Sequence, residues 1–329
     1  MATANAKRFG ELRPTNKDLK DEVTLPTTRR HWFTAALRLL LLSSIVSIAA
    51  LAQTAGAFGP RLLQAKALFN KGDYSAAAEG FTALTESYPD KPEPWWYLGI
   101  VAFQKGEADT ATVAFEKLSS LQPERGAGWV MLGLSEFRAR RFDPALVHIE
   151  QGRFLGGLNN PQIEQLAKLT QAMLCTRIGR FDVALAVLSE LAIANVRTSA
   201  VVATFGLAAL NRAVLLDEVS AADQRLVMEA GQAAWLIAAK QTEQSIAEAE
   251  ALLQRYPAQS GLHAILATAL LRNDRQRSER EFRAELAANP GHFFANVTLA
   301  SELLEQNRNE DALPFANQAA RLVPDRIRS

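Results

Sequence analysis

From residue 58 onward the apolar positions recur at helical spacing, and no stretch alternates with the period of two that a half-buried strand needs. Gly-Asp, Gly-Glu, Pro and Asn punctuate the runs, so the pattern predicts short amphipathic helices joined in pairs by tight turns. The pairs repeat. A shift of 34 residues superposes Gly72-Asp73-Tyr74 on Gly106-Glu107-Ala108 and on Arg140-Arg141-Phe142. It also brings Ala77 onto Ala111 and Ala145, Phe81 onto Phe115 and Ile149, Pro89 onto Pro123, and Trp95 onto Trp129. Small residues (Ala65, Ala77, Gly99, Ala111, Gly133, Ala145) recur where paired helices must approach. Larger ones (Leu68, Phe81, Leu98, Phe115, Leu132, Ile149) fill the space between, as interdigitated packing requires. Asp143-Pro144 reads as an N-cap and a first-turn proline, and Pro89, Pro123, Pro257, Pro290 and Pro324 read as helix stops. One such pair cannot bury its own apolar stripe, so stability must come from stacking on neighbours.

These residues resemble the tetratricopeptide repeat, whose pattern is Trp-x2-Leu-Gly-x2-Tyr, then Gly-x-Tyr, Ala-x3-Phe-x2-Ala and a closing Pro. Residues 92–125 match it at Trp95, Leu98, Gly99, Gly106, Ala111, Phe115, Leu118 and Pro123, and 58–91 and 126–159 match nearly as well. Residues 165–198 keep Gly179, Phe181, Ala184 and Leu188, with Cys175 at the usual Tyr position. Residues 292–325 keep Ala300, Ala312, Ala319 and Pro324. The resemblance implies an all-α, right-handed α-solenoid of seven or eight helix–turn–helix units. The chain then divides into a polar, basic leader (1–38), an apolar signal or anchor segment (39–52), well-matched repeats (58–198), degenerate repeats (199–291) and a last repeat with the chain end (292–329).

In that family the first helix of each unit lines a concave groove. The resemblance places Leu62, Lys66, Phe69 and Asn70 there, then Glu93, Trp96, Ile100, Phe103 and Gln104, then Val130, Leu134, Phe137 and Arg138. Leu62, Trp96 and Val130 stand where chaperone-binding members carry a carboxylate clamp, so the groove should be apolar and aromatic. Such a groove suits a helix or an extended peptide. The competing reading is that these side chains pack on the next unit.

Charge and composition narrow the classes. The 329-residue chain has 36 Lys and Arg against 35 Asp and Glu, with 48% hydrophobic residues, which excludes global disorder. Eight basic and four acidic residues fall in 1–38 and no charge falls in 39–52, so everything after 52 carries a net −3. Nucleic acid is therefore not an expected partner. The single cysteine, Cys175, excludes an intrachain disulfide and reads as a buried, unreactive core thiol.

Arg29, Arg30 and Arg38 precede fourteen uncharged residues, 39–52, that end in Ala50-Leu51-Ala52. A basic flank, a short apolar run and a small-x-small ending describe an export signal cleaved before Gln53. Extended to about Gly59, the same run is long enough for an uncleaved anchor, the one expected membrane contact, with the remaining chain still outside the cytoplasm. Thr28-Arg29-Arg30-His31-Trp32-Phe33 also looks like a degenerate twin-arginine signal.

No catalytic, metal or cofactor motif emerges. His31, His148, His263 and His292 are scattered, and His148 with Glu150 points two ways on a helix, as solvated polar residues do. Residues 152–160, Gly-rich, read as a helix cap and turn rather than a phosphate loop, and Glu243, Glu248 and Glu250 read as a wet helix face. The expected function is an exported, non-enzymatic scaffold that binds a protein or peptide in its groove. The rivals are a self-associating envelope protein and, less favoured, an enzyme or carrier with its site in 199–291.

Overall fold

The computed structural model describes residues 57–322, all of whose regular elements are helical. The signal or anchor segment, the leader and Pro324 lie outside the described residues. Among those described, no helix is long and apolar enough to cross a membrane.

Among the described residues fifteen α-helices follow one another: α1 (57–70), α2 (Tyr74–Ser87), α3 (Pro92–Lys105), α4 (Ala108–Leu121), α5 (Gly126–Arg138), α6 (Phe142–Leu155), α7 (Pro161–Arg177) and α8 (Phe181–Ile193). Then come α9 (Ser199–Ala209), α10 (Gln224–Ala238), α11 (Thr242–Arg255), α12 (Leu262–Leu270), α13 (Arg275–Ala288), α14 (Phe293–Glu305) and α15 (Asn309–Leu322). Each packs chiefly on the helices before and after it, which makes a tetratricopeptide-like solenoid.

The small residues do what their spacing demands. Ala65, Ala77, Ala111 and Ala145 are buried. A methyl on Gly99 would press into the Phe115 ring, and one on Gly133 would lie 2.7 Å from the Ala145 carbonyl oxygen and from Ile149. Trp95 Nε1 donates to the Pro89 carbonyl at 3.0 Å, and one repeat later Trp129 Nε1 donates to Pro123 at 2.8 Å. Asn296 makes the same tie to Pro290 at 3.0 Å, so a different side chain keeps the bond near the end of the chain. The expected stops hold at Pro89, Pro123, Pro257 and Pro290, each two residues past a helix end. Asp143 is not the N-cap of α6. Arg141 holds that position, and Asp143 sits in the first turn, where its carboxylate faces the positive helix end.

The tight turns inside pairs mark the register. Positive-φ residues fall at Gly72, Gly106 and Arg140, 34 apart, and again at Lys240 and Asn307, one residue short of two units. Between them, Arg140 to Gly179 runs five residues over a unit, taken up by the loop around Gly156 and Gly157. Gly179 to Lys240 runs 27 over, taken up by α9 and the connection 210–223, with its short 3-10 turn Leu216–Glu218. The stretch 199–291 thus begins with an inserted helix and its connection, with regular pairs resuming at α10. The inserted α9 crosses α10 at backbone contact: a methyl on Gly206 would overlap the Val227 carbonyl, and one on Gly231 the Val202 carbonyl.

Candidate functional site

The first helices bring the expected groove residues to one side but do not expose them equally. Leu62, Val130 and Leu134 are buried, at 7%, 0% and 2% exposure. They belong to the core; Val130, for instance, packs on Gly152 of α6. The assignment of these three to an open groove is corrected: their side chains are sealed in the packing between helices. Phe69, Trp96, Ile100, Phe103 and Phe137 are half-buried, and Arg138 is exposed.

What remains is an aromatic stripe roofed by guanidinium groups. Arg125 lies over the Trp96 ring with 4.4 Å to its centroid, and Arg138 over Phe103 with 3.5 Å. Arg138 also donates to the Phe103 carbonyl, which caps the end of α3. Partial burial pushes the Arg138 pKa down from its usual value. Among the described residues no carboxylate lies in ion-pair distance of Arg125 or Arg138, whereas Lys66 and Glu93, both expected in the groove, neutralise each other at 2.9 Å. Phe69 meets Tyr97 edge-on at 5.6 Å, Trp96 meets the buried Phe115 at 5.9 Å, and Phe137 leans on Phe142 at 5.8 Å. The stripe therefore joins apolar area with unpaired positive charge. Arg138 stands among the sequence candidates and Arg125 does not, because a turn residue reaches a ring on the preceding first helix only in three dimensions.

Two polar readings change. His148 is not merely solvated: its Nδ1 sits 2.7 Å from Glu136, which is buried within α5. His292 is 97% buried as the N-cap of α14 and accepts from the Ala295 amide through Nδ1. Cys175 is buried as expected, and Asn160 caps α7 by accepting from the Gln162 and Ile163 amides. No group of three or more His, Cys, Asp or Glu among the described residues is placed to hold a metal.

A second concavity escaped the sequence. It encloses about 600 Å³ between the start of α8, the ends of α9 and α10, α12 and the start of α14, with walls that include Phe181, Phe205, Ile237, Ile265, Phe293 and Phe294.

Helix pairs on a 34-residue period, tied Trp to Pro, define a repeat solenoid. Residues 62–117 match the family model described as tetratricopeptide repeat. No curated protein matches the chain. Among solved structures, a tetratricopeptide repeat protein from Parabacteroides merdae is 13% identical, with 75% of this chain and 98% of that one covered and a TM-score of 0.39. The TPR2AB domain of yeast Sti1 in complex with pHSP90 is 10% identical over 82% of this chain and 92% of that one, at a TM-score of 0.35. YrrB, a TPR protein with an unusual peptide-binding site, is 12% identical over 76% and 95%, at 0.27.

Proposed function

We propose that this protein is an exported scaffold that captures a partner segment on the stripe formed by Trp96, Ile100, Phe103 and Phe137. The observation that carries the reading is the pair of guanidinium groups over Trp96 and Phe103 with no carboxylate beside them. The partner segment is then acidic as well as apolar, its carboxylates reaching Arg125 and Arg138 while its side chains cover the rings. Export is supported by the basic flank, the apolar run 39–52 and Ala50-x-Ala52. No chemical step belongs to this function.

Selection from a random peptide library checks it. Recovered peptides should place Asp or Glu next to large apolar residues. Arg138→Glu combined with Phe103→Ala should weaken them by about 2–4 kcal/mol, the scale of interface hot spots. Peptides without acidic residues, or equal binding by a folded double variant, would move the partner surface elsewhere. Export is checked separately by the mature N-terminus: Gln53 is expected after cleavage, and an intact chain free in the cytosol would remove that half of the reading.

A further inference from the structure

We infer that the concavity of about 600 Å³ between α8 and α14 is a binding site for a small monocarboxylate with an apolar tail. Its volume is that of small-molecule pockets. Its walls are mostly aromatic and aliphatic, and the two hydroxyls on them are already committed: Ser189 donates to the Leu185 carbonyl, and Thr268 to the Ala264 carbonyl. A peptide would bury its own amides there with few partners, whereas a plain alkyl or aryl tail buries none.

The buried unpartnered donor lies at the start of α14. His292 lines the cavity, and its Nδ1 must be unprotonated because it accepts from the Ala295 amide at 3.2 Å. The proton of the neutral ring is therefore on Nε2, a buried donor with no hydrogen-bond partner among the described residues. Phe293 and Phe294, also lining, are the first two residues of α14, whose amides have no carbonyl one turn back within the helix. Three donors at the positive end of a thirteen-residue helix favour an anionic acceptor. Elsewhere on the wall, Arg180 pairs with Glu150 at 3.1 Å and Asp182 stands two residues on.

Displacement of an apolar fluorescent dye from the full chain tests this, with dodecanoate and dodecylammonium below their micelle-forming concentrations as competitors. Dodecanoate should bind saturably, one per chain, and at least about tenfold tighter than dodecylammonium, the scale of charge-assisted bonds at a helix start. Ala238→Trp, at a half-buried lining position, should abolish binding while leaving the circular dichroism spectrum intact. His292→Ser keeps a side-chain cap for α14 but withdraws the ring N–H, and should weaken dodecanoate about tenfold with dodecylammonium unchanged. Absence of saturable binding, equal binding of the two amphiphiles, or parental affinity in either folded variant would each overturn the assignment.

Discussion

At the scale of single residues, backbone proximity and burial make the sharpest demands. Gly206 meets the Val227 carbonyl so closely that Gly206→Ala must push α9 off α10. The expected loss is about 1–3 kcal/mol, read as a lower urea midpoint with unchanged slope. A parental midpoint would show that α9 and α10 can separate at this crossing without cost. His292 makes a different demand. Burial pushes its pKa below the ordinary histidine value, with the Glu285 charge opposing. The folded protein then binds fewer protons than the unfolded chain, so this contribution is complete above about pH 6.5 and is lost as pH falls through the lowered value. Stability should fall as pH drops below about 6.5. His292→Asn, which keeps a cap, should flatten that slope. An unchanged slope in the variant would locate the titration elsewhere.

Between elements, a few buried polar ties fix how one helix meets the next. Glu285 of α13 is 1% exposed and accepts from the Gly261 amide at 2.9 and 3.0 Å and from Ser260 Oγ at 3.1 Å. It thereby holds the start of α12, where Gly261 has φ 93° and no side-chain cap is made. Glu285→Ala would leave that amide buried without an acceptor and should destabilise by about 1–3 kcal/mol. Glu285→Gln, which can still accept, should recover part of it. Equal melting temperatures for the parent and both variants would mean that the tie is dispensable. At Pro89, Pro123 and Pro290 the residue six beyond donates to the proline carbonyl, and at the last of these Asn296 presents the needed N–H from a shorter side chain than tryptophan.

Across the whole molecule the core is not one cluster. A long one runs from Ala102 to Leu270, and a separate one joins Ala264, Ala267, Phe282, Leu286, Ala295, Leu299, Leu303 and Ala312. A solenoid propagates stability only between neighbours, so damage to the second cluster should stay there. Phe282→Ala should cost about 3–5 kcal/mol locally. By hydrogen exchange it should strip protection from α12–α15 while α3–α8 keep theirs. Uniform loss of protection along the chain would mean a single cooperative unit.

Fold class was legible because helix pairs built on local contacts write their packing into a fixed period: Ala77, Ala111 and Ala145 recur at 34 since each faces the same neighbour. The turns at Gly72, Gly106 and Arg140 were legible for the same reason. The insertion of α9 was not, since it obeys no period and its partner contacts are backbone against glycine. Nor was the depth of the groove: Val130 and Leu134 look like Ile100 in sequence, and only the closeness of successive helices decides which is sealed. The guanidinium roofs and the cavity beside His292 belong to that same level. Arg125 reaches Trp96 across 29 positions and Phe181 shares a wall with Phe294 across 113, distances at which a single sequence carries no periodic signal and only the winding of the solenoid brings the groups together.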